Sequence, residues 1–135
     1  MKLLKTTILL IVLSALAFAC EKEKIVTVEK EVPAPVPATI TINSPIHNDT
    51  IKHGATVHLK AVISGINTLH GYDFSLVAGH HDVFRKHVHG HDKNFYVDTT
   101  WVNNVTAPTS VTFKVETSLD HHGNSIGKSI TFYAE

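Results

Sequence analysis

From Thr39 to Glu135 apolar residues recur at every second position, and no segment has the length and spacing of an amphipathic helix. TITIN from Thr39 sets Ile40 and Ile42 on one face. TVHLKAVIS from Thr56 sets Val57, Leu59, Ala61 and Ile63 against His58, Lys60 and Val62. YDFSLVA groups Tyr72, Phe74, Leu76 and Ala78, SVTFKVETSL groups Val111, Phe113 and Val115, and SITFYAE pairs Ile130 with Phe132. Successive side chains of a strand point to opposite faces, so this pattern builds strands with one buried side and one wet side. Two further runs, VFRKHVH from Val83 and NFYVDTTWV from Asn94, bring the expected count to about seven strands. Ser44-Pro45, Asn48-Asp49, His53-Gly54, Ser64-Gly65, Ala107-Pro108 and Gly123-Asn124 supply bends between them. The expected fold is an all-β antiparallel sandwich.

The residues ahead of Thr39 read differently. Met1 to Ala19 has Lys2 and Lys5, then an apolar run, then small residues, which is the layout of a secretory signal peptide. The run stops at Cys20, so cleavage is expected rather than a membrane span. Cys20 is the only cysteine, which leaves no internal disulfide to form. Ala17-Phe18-Ala19-Cys20 resembles the lipobox of bacterial lipoproteins, with Ala17 where that motif usually has leucine. The resemblance implies an acylated Cys20 as the first residue of the mature protein and a membrane as its partner. Several acyl chains, at about 0.8 kcal/mol per buried methylene, would hold it there firmly. Glu21 to Ala38 alternates charges and then carries Pro33, Pro35 and Pro37, which favour an extended linker. The expected organisation is therefore a signal peptide over 1–19, an acylated cysteine with a charged, Pro-rich linker over 20–38, and one domain over 39–135.

Within that domain INSPIHNDTIKHGATVHLKAVISG resembles the opening of bacterial immunoglobulin-like domains, with a Ser-Pro break, a Gly-led turn and a long second strand. LDHHGN, Leu119 to Asn124, resembles the Asp-x-x-Gly-Asn turn that those domains place between their last two strands. The histidine-bearing middle and Trp101 resemble small Bacteroidetes-type lipoproteins with an Ig-like fold, the DUF4625 group. This implies an Ig-like sandwich and an address at the bacterial cell envelope, on the outer membrane, and brings no established chemistry.

HHDVFRKHVHGHD, His80 to Asp92, holds five of the eleven histidines. An antiparallel hairpin of the runs at Tyr72 and Val83 favours Leu76 opposite Phe84 and Tyr72 opposite Val88, which keeps apolar residues on the core face. His87, His89 and His91 are then expected to point outward together, with Asp73 facing His87. Residues i and i+2 on one strand face lie about 6.6 Å apart, so His-x-His is a chelating spacing. In an Ig-like sandwich His70 and the turn carrying His121 and His122 are expected at the same end, with His80 and His81 at the other. His70, His87, His89, His91, His121 and His122 are thus the candidate ligands. An all-imidazole set suits Zn²⁺, Cu²⁺ or Ni²⁺ as a divalent transition-metal cofactor. The competing reading gives these histidines to an exposed strand face with no biological metal. His47, His53 and His58 are expected to be ordinary solvated positions, and Trp101 and Tyr96 to pack over the sandwich.

Charge narrows the partners little. From Thr39 onward seven Lys and Arg stand against eight Asp and Glu, and no basic stripe offers a nucleic-acid footprint. No Gly-x-Ser-x-Gly elbow, Gly-rich phosphate loop or His-Glu-x-x-His helix is present, so no enzymatic activity is expected. The leading expectation is an anchored, histidine-rich Ig-like domain that binds a divalent transition metal. The alternative is an interaction module for an envelope protein or glycan, its histidines a polar or pH-responsive surface. A third is an accessory to a metal transporter or oxidase assembly.

Overall fold

Eight strands make up residues 38–135, the residues that the computed structural model describes: β1 (Ala38–Ser44), β2 (Thr50–Ile51), β3 (Thr56–Leu69), β4 (Tyr72–Ala78), β5 (His81–Val88), β6 (Asp92–Val102), β7 (Thr109–Ser118) and β8 (Ser125–Ala134). The expected signal peptide, Cys20 and the expected linker as far as Pro37 lie outside the described residues. One sheet has the order β1-β3-β6 and the other β2-β8-β7-β4-β5. Apart from the additional β2, β1-β3-β6 facing β8-β7-β4-β5 is the A-B-E and G-F-C-C′ order of an immunoglobulin-type sandwich. The strand beyond the expected seven is β2, two residues long and parallel to β8. It is too short to show a period in the sequence. β1 already includes Ala38, one residue before the expected domain start.

The alternation that identifies the strands also builds the core. On β3 Val57, Leu59, Ala61 and Ile63 are buried while Thr56, His58 and Lys60 are exposed. From the opposite sheet Phe74, Leu76, Val111, Phe113, Val115 and Phe132 meet them. Each fully buried side chain of this size contributes about 1.5–3 kcal/mol. Trp101 is buried and lies edge-on to Phe132, ring centroids 6.4 Å apart. Tyr96 departs from expectation, being 66% exposed. It holds an even position on β6, opposite Val62, and the inward positions of that strand are Phe95, Val97 and Trp101.

Tyr72 pairs with Val88, Asp73 with His87 and Leu76 with Phe84, which is the register the apolar pattern favours. The β4–β5 hairpin turns at Gly79 and His80, so His80 and His81 sit at its tip. His47, His53 and His58 are exposed. Two of them also serve the backbone: His47 Nδ1 accepts from the Thr131 N–H at 3.3 Å, and His53 Nδ1 lies 2.9 Å from the Val105 carbonyl.

Candidate metal centre

Three connections meet at one end of the sandwich. His70 follows the last residue of β3, His89 and His91 lie between β5 and β6, and His121 lies in the β7–β8 turn. Their rings are in contact, with centroids 3.9 Å apart for His70–His121, 4.9 Å for His70–His91, 5.1 Å for His89–His91 and 6.0 Å for His91–His121. His91 touches all three of the others. Two imidazoles on one tetrahedral ion, at Zn–N of about 2.05 Å, hold their centroids about 5 Å apart. The His70–His91 and His89–His91 pairs already have that spacing, and His70–His121 must open by about 1 Å to join them. Ring contacts run edge to face or tilted, and among the described residues no three His, Cys, Asp or Glu side chains have their donors arranged to hold an ion. Coordination therefore requires rotation of imidazoles that are already neighbours.

His70 is the most firmly placed of the four. Its N–H donates to the Ser118 carbonyl at 2.9 Å, and the next carbonyl, of Gly71, accepts from the Ser118 N–H and from Thr117 Oγ1 at 2.7 Å. Its ring is half-buried, and Nδ1 is the one buried side-chain polar atom without a hydrogen-bond partner among the described residues. Burial lowers its pKa from the ordinary 6.5, and the neighbouring His121 and His91 push the same way, while Asp120 opposes them. The shift favours the neutral imidazole, the form that offers a lone pair to a metal.

Asp120 fixes the turn that presents His121. Its carboxylate accepts from Asn124 Nδ2 at 2.6 Å and from the N–H groups of His122 and Asn124 at 2.8 and 3.3 Å. The hydrogen bond from Asn124 and those from the two backbone amides hold its pKa below the usual carboxylate value. The Asp-x-x-Gly-Asn stretch is therefore a turn closed by its own first side chain, with Gly123 at φ 88°.

Two of the six candidate ligands stand apart. His87 and His122 enter none of the ring pairs among the described residues. β5 ends at Val88, so the expected outward row of His87, His89 and His91 breaks after its first member. Asp73 captures His87 Nδ1 at 2.9 Å. His122 is directed to solvent, its nearest carboxylate Asp120 at 4.0 Å.

Gly71, Thr117 and Ser118 place His70, and no spacing or motif in the sequence marks them for that role. A Cβ on Gly71 would lie 2.5 Å from the Val88 carbonyl oxygen, and its φ of 106° is one that side chains rarely adopt. Gly71→Ala is expected to cost about 2 kcal/mol in urea denaturation and to shift the flanking His70 and His89. A change below about 0.5 kcal/mol would show that the two strands have room to part.

Acid should loosen the fold through His70. The unfolded chain takes up this proton near pH 6.5 and the folded chain refuses it until lower pH, so stability falls across that window. Between pH 7.5 and 5.5 the metal-free wild type is expected to lose more stability than His70→Asn, read as urea midpoints. Equal losses in both proteins would remove His70 from the pH response.

No family model, curated protein or solved structure matches this chain.

Proposed function

We propose that this chain is an envelope lipoprotein, held to the outer membrane by acylated Cys20. Its sandwich binds one divalent transition-metal ion through His70, His91 and His89, with His121 as fourth ligand. The observation that carries this is the gathering of four imidazoles from three separate connections, one of which, His70, has a buried Nδ1 without a partner. Such an atom is costly to leave unpaired, and a metal ion satisfies it. The absence of any thiolate beyond Cys20 favours Zn²⁺, Cu²⁺ or Ni²⁺ over soft-metal chemistry. The ion joins connections that no covalent bond ties together, so binding would add to stability by mass action.

Native mass spectrometry of the full chain, titrated with Zn²⁺ and separately with Cu²⁺, tests this. One ion is expected to bind in preference to any second, and the melting temperature is expected to rise and to return when a chelator is added. Several loose adducts with no thermal shift would defeat the proposal.

A second reading keeps the chain non-enzymatic and without metal, as an interaction module for an envelope protein or glycan. The edge-to-face rings favour it, since their donors do not yet converge. Partner binding that survives chelation and weakens on protonation of the histidines would support it.

A further inference from the structure

Every open sheet has edges that invite another strand, and folded proteins usually blunt them with bulges, prolines, brevity or misplaced charge. Most edges here are treated in this way. β1 has a bulge between Ile42 and Ser44 and ends at Pro45. β2 is two residues long, and β8 beyond it carries Lys128 opposite the buried Val115, at a position that faces inward. β5 has a register shift at Val83 and the same device in Lys86, opposite the buried Phe74.

β6 lacks these protections. It is eleven residues long, has no proline, and pairs with β3 without interruption from Asn94 to Val102. Among the described residues its other edge has no partner strand. Lys93 precedes the unbroken register, and the mid-strand charge, Asp98, is drawn toward Lys60 of β3 at 3.9 Å. The outward row instead presents Tyr96, 66% exposed, and Val102, 53% exposed.

We propose that β6 pairs antiparallel with β6 of a second copy of this chain, joining the two three-stranded sheets into one of six. Side chains alternate between faces, so twofold symmetry must place some residue of β6 opposite its own copy. Centring on Phe95 opposes Asp92 with Asp98, and centring on Asp98 opposes that carboxylate with itself. Centring on Val97 sets Tyr96 against Asp98 and Lys93 against Trp101. Centring on Tyr96 avoids all of these conflicts. It stacks the two tyrosines across the axis, sets Asn94 against Asp98, and puts Phe95 against Val97 on the core side. The pairing does not depend on metal.

Directly opposed residues of an antiparallel pair have Cα atoms about 4.5–5.5 Å apart, which a disulfide can span. The test is diamide oxidation of full-length single-cysteine additions, followed by non-reducing electrophoresis with the parent chain, which retains Cys20, as background. Tyr96→Cys is expected to give a dimer well above the parent. Val102→Cys, whose opposite position falls outside β6, is expected to give none. Because Tyr96 belongs to the contact, Asn94→Cys and Asp98→Cys chains are also examined, and a dimer is expected when the two are mixed and from neither alone. Cross-linking at Val102 equal to that at Tyr96, or no dimer above the parent from any of these chains, overturns the proposal and leaves the edge to an extended peptide of another protein.

Discussion

Replacing His91 with alanine is expected to lower the Zn²⁺ affinity of the full chain by at least about 100-fold, whereas His87→Ala or His122→Ala should leave it within about threefold. The asymmetry follows from ring contacts. His91 lies 4.9 Å from His70, 5.1 Å from His89 and 6.0 Å from His121, so its loss separates His89 from the rest of the group. His87 of β5 is bound to Asp73 of β4, and His122 faces solvent. Since His91 is exposed, its removal should hardly change the stability of the metal-free protein, which separates loss of a ligand from loss of the fold. A hundredfold change is about 2.7 kcal/mol of binding free energy, readily measured by competition with a chromophoric chelator. If His87→Ala weakened binding as much as His91→Ala, the ion would lie on the β4–β5 face and the four-imidazole centre would be wrong.

Replacing Asn103 with alanine is expected to destabilise the domain by about 3 kcal/mol, equivalent to a melting temperature lower by about 15 °C. Asn103 is completely buried at the end of β6. Nδ2 donates to the Ile51 carbonyl at 2.9 Å and to the Glu135 carbonyl at 3.4 Å, and Oδ1 accepts from the Val105 N–H at 3.2 Å. Its main chain accepts from the Gly54 N–H at 2.7 Å and donates to the Ala55 carbonyl at 2.9 Å. One side chain thus joins β2, the C-terminus and the β6–β7 connection. Alanine leaves a void and an unanswered amide there. Aspartate should be worse, because it sets a buried carboxylate against two carbonyl oxygens. Urea denaturation of the metal-free chain measures both, and a loss below about 1 kcal/mol for alanine would mean that water replaces the amide without penalty.

The unequal legibility of the sequence has a physical cause. Ile40, Val57, Leu59, Phe74, Phe113 and Phe132 announce their burial through a two-residue period, since a strand has only two faces and one must leave water. The same period fixes the β4–β5 register, because a slip of one residue would turn Leu76 and Phe84 outward. Asn103 gives no such signal. Its hydrogen-bond partners are 2 to 52 residues away, and an isolated Asn-Asn pair reads as another loop.

For the histidines the division is sharper. The amino-acid order alone put His89 and His91 two apart, put His70 just before a strand, and put His121 in a Gly-Asn turn. The hairpin register legible in the sequence already faced Asp73 with His87; tertiary structure alone decided that Gly71 closes onto the Val88 carbonyl and that β5 stops at Val88. Those facts gather His70, His89, His91 and His121 and separate His87 and His122 from them. Spacing along a strand is set by bond lengths and is therefore written in the sequence. The Ig-like order of strands already brings those connections to one end, but which imidazoles touch there depends on where strands end and which backbone groups pair across the sheet, and only the folded chain decides that.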